Sequence, residues 1–186
     1  IGFSVARCNI LIEKNIKKLR RLTERKKMNM NWMSVDKSLP PFLRAVLLAD
    51  GTVTSLISAF MGEEIEVITN QQGYLPMSDN LSYLKLSKGD EAFVREVDLV
   101  GKTSNKCYAS AESLLNPILI RDDLFRALTD DCVGMGAVLR NEARGSYREI
   151  INIDDSLTDT ARRTYAVYLD SLPSILITEA FNIDSF

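Results

Sequence analysis

"RTYAVYLDSLPSILITEAFNI", residues 163–183, contains two apolar runs either side of a short polar stretch. Asp170, Ser171, Leu172 and Pro173 make a connection of hairpin size, so 163–170 and 174–183 are predicted as neighbouring antiparallel strands. Along the second run every other residue is Ile175, Ile177, Glu179, Phe181 and Ile183, which places one carboxylate on the face its neighbours mark as buried. A lone acid there calls for a partner, either another side chain or a ligand.

Upstream the pattern is mixed. "SLPPFLRAVLLADGTVTSLISAFMGEE" (38–64) reads as two short helices, the first starting near Pro41, the second opening between Asp50 and Thr54 and stopping at Gly62. "EIEVITNQ" (64–71) alternates like a strand, "YLPMSDN" (74–80) reads as a turn, and "EAFVREVDLVG" (91–101) is a long strand with "NKCYASAES" (105–113) as its hairpin partner. "RDDLFRALTDD" (121–131) and "GMGAVLRN" (134–141) are predicted as short helices, and "GSYREIINI" (145–153) as a further strand. Strands joined mainly by short turns imply a largely antiparallel sheet with helices against it, an α+β single domain over 29–186.

Residues 1–28 stand apart, with nine Lys or Arg and two Glu, a local charge of +7 against −9 for the remainder. Cys8, Ile12, Ile16 and Leu19 fall at helical spacing with Lys14, Lys17, Lys18, Arg21 and Arg25 mostly elsewhere on the wheel, so an amphipathic basic helix is predicted. Such a stripe could attract phosphates, but a terminal helix with a solvated charged face is the simpler reading, and no nucleic-acid or membrane partner is expected. The apolar runs are too short to span a bilayer and no secretion leader is read. Cys8, Cys107 and Cys132 lack the spacing of a disulfide framework or zinc site, which points to a reduced, cytoplasmic setting and no metal. The chain has no histidine, so the commonest general base and metal ligand is missing. Asp122, Asp123, Asp130 and Asp131 lack calcium-loop spacing, and Gly134 and Gly136 lack a dinucleotide pattern and are read as a helix start or close packing.

Alternation within "EAFVREVDLVG" puts Phe93, Arg95, Val97 and Leu99 on one side, so Arg95, like Glu179, is an ionisable group on an apolar face. Two arrangements satisfy this pattern. Arg95 and Glu179 pair inside the core, or they line a pocket in which Arg95 grips a ligand carboxylate and Glu179 accepts from a ligand hydroxyl. Arg148, on the same side as Ile150, and Arg144 beside Gly145 are weaker candidates for a second cation, and Asn152 interrupts their strand's alternation.

Four segments in order resemble the chorismate pyruvate-lyases. "LLADGTVTSL" (47–56) is similar to that family's Leu-x-Asp-Gly-Ser-Met-Thr segment, "FVREVDLVGK" (93–102) to its Leu-Arg-Glu strand, "GMGAVL" (134–139) to its Pro-Leu-Gly-Arg-Tyr-Leu turn, and "RRTYAVYLDSLPSILITEAFNI" (162–183) to its terminal hairpin. The likeness runs from about Trp32 to the C-terminus and looks like a divergent, archaeal-type branch. It implies an enclosed pocket under helical flaps at about 42–61 and 121–140, with the family's substrate-binding arginine falling on Arg95 and its product-contacting glutamate on Glu179. The family's pocket-lining Met and Leu fall on Val53 and Met135, both changed in side chain, and Gly136 joins them as a substrate-binding candidate.

The reaction so implied is cofactor-independent elimination of pyruvate from chorismate to give 4-hydroxybenzoate. Arg95 would hold the ring carboxylate, Arg148 or Arg144 the side-chain carboxylate, and Glu179 would orient the 4-hydroxyl or take a proton. A non-catalytic binding domain of the same fold, as carried by one group of bacterial transcription regulators, is the alternative. One basic helix ahead of the domain is too little for the winged helix-turn-helix of such regulators, so the lyase is the expected function.

Overall fold

The computed structural model describes residues 35–130, 134–156 and 158–186, and the helix expected over 1–28 lies outside them, as does Cys132. Among the described residues there are four α-helices: α1 (Pro41–Leu48), α2 (Val53–Met61), α3 (Asp122–Leu128) and α4 (Met135–Glu142). Pro41 sits at the first helical position of α1, where its missing N–H goes unneeded. Gly62 closes α2 in the left-handed region at φ 72°.

Six strands, β1 (Ile65–Pro76), β2 (Glu91–Gly101), β3 (Cys107–Leu115), β4 (Tyr147–Asp154), β5 (Thr160–Leu169) and β6 (Leu172–Asn182), form one antiparallel sheet in the order β1-β2-β3-β6-β5-β4. The α+β architecture expected from the sequence is therefore present. The β5–β6 turn is tighter than the four residues predicted. Leu169 pairs with Leu172, and only Asp170 and Ser171 turn, both at positive φ (48° and 64°), the backbone that matches strand twist in a two-residue hairpin. β1 also runs past its expected end to Pro76, because a bulge between Thr69 and Gln71 resets its pairing with β2. A similar shift between Ile150 and Asn152 explains the broken alternation of β4. Ile150 and Ile153 then both face the helices, while Ile151 faces away.

Each face of the sheet is covered differently. On one side Val94, Leu114, Ala166 and Leu176 pack under the 77–90 segment through Met77, Leu81, Leu84 and Leu86. The other side carries two separate clusters. Leu99, Ala109, Ala161 and Phe181 pack with Leu43, Val46, Leu47 and Ile57 of α1 and α2, whereas Phe93, Leu115, Ile175 and Ile177 pack with Leu124, Leu128, Val138 and Leu139 of α3 and α4. Between these two helix pairs the sheet face turns polar.

Candidate functional site

The polar gap follows directly from register. Val97, Ala111, Glu179 and Arg163 form one row across β2, β3, β6 and β5, and Arg95, Ser113, Ile177 and Tyr165 form the next. Antiparallel pairing brings these side chains onto one face, the same face that holds Phe93 and Leu99 along β2. A cavity of about 70 Å³ opens over these two rows, and Arg95, Glu179, Arg148, Val53, Met135 and Gly136 all line it. Arg144 does not. It is exposed in the turn between α4 and β4, where Gly145 at φ 86° redirects the chain, so it is not the second cation of this site.

Arg95 is buried at 2% exposure and held from both sides. Its Nη1 donates to the Leu128 carbonyl at the end of α3 (2.9 Å) and its Nη2 to Thr69 Oγ1 (3.1 Å). A guanidinium at a helix C-terminus is electrostatically favoured, and the two contacts fix the plane of the fork. Arg148 spans the cavity wall and an outer groove, and donates to the Asp50 carbonyl in the α1–α2 connection.

Glu179 pairs with neither Arg95 nor empty space. Arg163 Nε donates to its Oε2 at 2.6 Å and the Tyr165 hydroxyl to its Oε1 at 3.0 Å, all from β5 across the hairpin. Glu179 thus already accepts one hydroxyl from within the protein, while it still lines the cavity into which a ligand hydroxyl was expected. Burial, and then the neighbouring Glu179 charge, push the Tyr165 hydroxyl well above the ordinary phenol range, so it stays protonated as a donor. Arg163, 1% exposed, also donates through Nη1 to the carbonyls of Val46 (2.6 Å) and Ala49 (2.5 Å), and its guanidinium carbon lies 5.1 Å from the Tyr165 ring centroid.

Arg163 was not singled out from the sequence, although a signal was there. Arg163, Tyr165, Val167 and Leu169 alternate down β5, and the test that isolated Arg95 isolates Arg163 equally well. Gly136 is tight against the α1–α2 connection, where an added Cβ would lie 3.0 Å from Thr52 Cγ2. Among the described residues no group of carboxylates and thiols comes together as a metal's ligand set, and no helix is long and apolar enough to cross a membrane.

No protein-family model matches the chain, and no curated protein matches its sequence. Solved structures that share the fold include two from one organism. PhnF from Mycobacterium smegmatis superposes with a TM-score of 0.56 at 14% identity, over 74% of this chain and 66% of that one. The effector domain of PhnF from the same organism superposes with a TM-score of 0.55 at 15% identity, over 74% of this chain and 91% of that domain. This chain thus spans less than two thirds of PhnF but nearly all of its effector domain.

Proposed function

We propose that this domain binds a small organic acid between its two helix pairs and holds it without converting it. The observation that carries this is the state of Glu179. Both of its oxygens already accept, from Arg163 and Tyr165, while Arg95 and Arg148 bring two cations to the same cavity. A carboxylate so engaged is badly placed to take a proton from a ligand, and the chain has no histidine to do so instead. What remains is a site for recognising negative charge: Arg95 meets one carboxylate, and Arg148, bound to a neutral carbonyl, meets a second anionic group or the first from its other side. The likeness to a domain described as an effector domain supports the same reading.

A pyruvate-lyase is the competing reading, and one observation favours it: the arginine and glutamate that the resemblance assigns to substrate line one cavity. Mixing the protein with chorismate, 4-hydroxybenzoate and benzoate in turn separates the two. Thermal unfolding should rise with at least one acid, by the equivalent of about 2.7 kcal/mol at 100 times its Kd, and Arg95→Met should abolish the rise. Neither 4-hydroxybenzoate nor pyruvate should form from chorismate. Their release in multiple turnovers would replace the binding reading with the lyase one, and no rise with any of the three acids would overturn it for aromatic and enolpyruvyl acids.

A further inference from the structure

Arg163 hydrogen-bonds to two parts of the molecule, β6 and the end of α1, that otherwise meet through the apolar cluster of Phe181 with Leu43, Val46 and Leu47. One edge of its guanidinium binds Glu179, which lines the cavity, and Nη1 binds the carbonyls of Val46 and Ala49, the last turn of α1 and the residue after it. Arg163 itself does not line the cavity, and among the described residues its Nη2 meets no acceptor. The segment it holds is the cavity's rim: Gly51, Thr52 and Val53, directly after Ala49, all line the cavity. Arg148 and Arg140 hold the same connection from outside, through the Asp50 carbonyl and Thr52 Oγ1.

We infer that Arg163 is a positioning residue that couples the placement of Glu179 to the α1–α2 connection, so that occupancy of the cavity and the position of its rim are linked. The physical basis is the rigidity of the fork. A planar guanidinium that shifts toward Glu179 must loosen its hold on the two carbonyls, and the reverse, because its donors are fixed relative to each other. The Val46 carbonyl also accepts from the Ala49 amide (3.1 Å), whereas Arg163 is the donor described for the Ala49 carbonyl, so releasing Arg163 loosens chiefly the residue that leads from α1 into the rim. A ligand donor that draws Glu179 into the cavity would therefore be felt at Ala49, and by linkage a rim held open or closed would alter affinity in the cavity.

This rests on the binding reading only in placing a ligand in the cavity that Glu179 lines, and its test needs no ligand. Amide hydrogen exchange is followed in the wild type, Glu179→Gln, Arg163→Met and the double variant, with residues 45–52 read relative to amides of β2 and β3. Glu179 makes no described contact with residues 45–52, yet Glu179→Gln should speed their exchange by at least threefold, and in the Arg163→Met background the same change should add less than twofold. A smaller effect of Glu179→Gln alone, or an equal effect with and without Arg163, would overturn the coupling. Should Arg163→Met fail to fold, Arg163→Lys serves in its place, since one ammonium keeps the charge but cannot span carboxylate and carbonyls together. The outcome is independent of whether any acid binds, so failure here and failure of the binding reading are told apart.

Discussion

Arg163 and Glu179 are a buried ion pair, at 1% and 7% exposure, in a protein whose other described ion pairs lie at the surface. Such a pair seldom adds net stability, because taking two charges out of water costs several kcal/mol per ion, whereas removing one partner alone is severe. Arg163→Met should therefore destabilise the fold by about 3–5 kcal/mol, with Glu179 left buried beside Tyr165 and without its cation. Arg163→Met combined with Glu179→Met should recover most of that loss, as apolar replacements of both ions often do. Urea denaturation of the three proteins checks this, and a double variant as unstable as Arg163→Met would mean that packing, not charge, sets the cost. If the stability cost of having both ions is confirmed, their presence beside the cavity is better accounted for by binding than by folding.

At the scale of elements, the β2–β3 connection shows how one side chain can set a turn. Glu63, just beyond α2, accepts from the Thr103 and Ser104 amides (both 3.0 Å), from Ser104 Oγ (2.8 Å) and from the Tyr108 hydroxyl (2.5 Å). The Tyr108 hydrogen bond first, then those from Ser104, hold its carboxyl at about 2 instead of 4.5. Because the folded value is the lower one, the clasp stabilises fully above pH 4.5 and is lost as pH falls toward 2. Glu63→Gln should therefore lower the urea midpoint at pH 6, and the gap to wild type should narrow steadily on acidification and close near pH 2; a gap constant with pH would show that the contribution is not ionic. Nothing in the alternation of neighbouring strands marks Glu63, because its partners lie about 40 residues or more away, on the β2–β3 turn and at the start of β3. Strand faces were legible because alternation is local, as in β2 and β6. The bulges in β1 and β4 were not, since an extra residue is defined only by what pairs opposite it.

For the whole molecule, the decisive feature is that the helices cover one sheet face as two pairs with a gap between them. The apolar rows at either end of β2 and β6 recruit α1–α2 and α3–α4, and the charged residues fall between these pairs, where Arg163 and Arg95 reach the C-terminal ends of α1 and α3. Arg95 and Glu179 were readable as interruptions of apolar faces, but their relation was not: the hairpin sets β5 beside β6, whereas that β3 lies on the other side of β6 and separates it from β2 is a long-range choice, and with it Glu179 meets Arg163 and not Arg95. The space left is small, about 70 Å³, against roughly 300–1,000 Å³ for pockets that enclose larger ligands. An aromatic acid can therefore enter only if a lining side chain or the rim moves, and association should be slow for a ligand of its size. Met135, at the start of α4, lines the cavity and is only part-buried where it packs against the edge of the α3–α4 cluster, so it is a side chain that can yield at small cost to that cluster. Met135→Ala should raise the association rate of whichever aromatic acid stabilises the wild type by about tenfold while leaving the requirement for Arg95 intact. Stopped-flow tyrosine fluorescence would measure it, and an unchanged rate would place the limiting motion elsewhere, in the connection that Arg163, Arg148 and Arg140 hold.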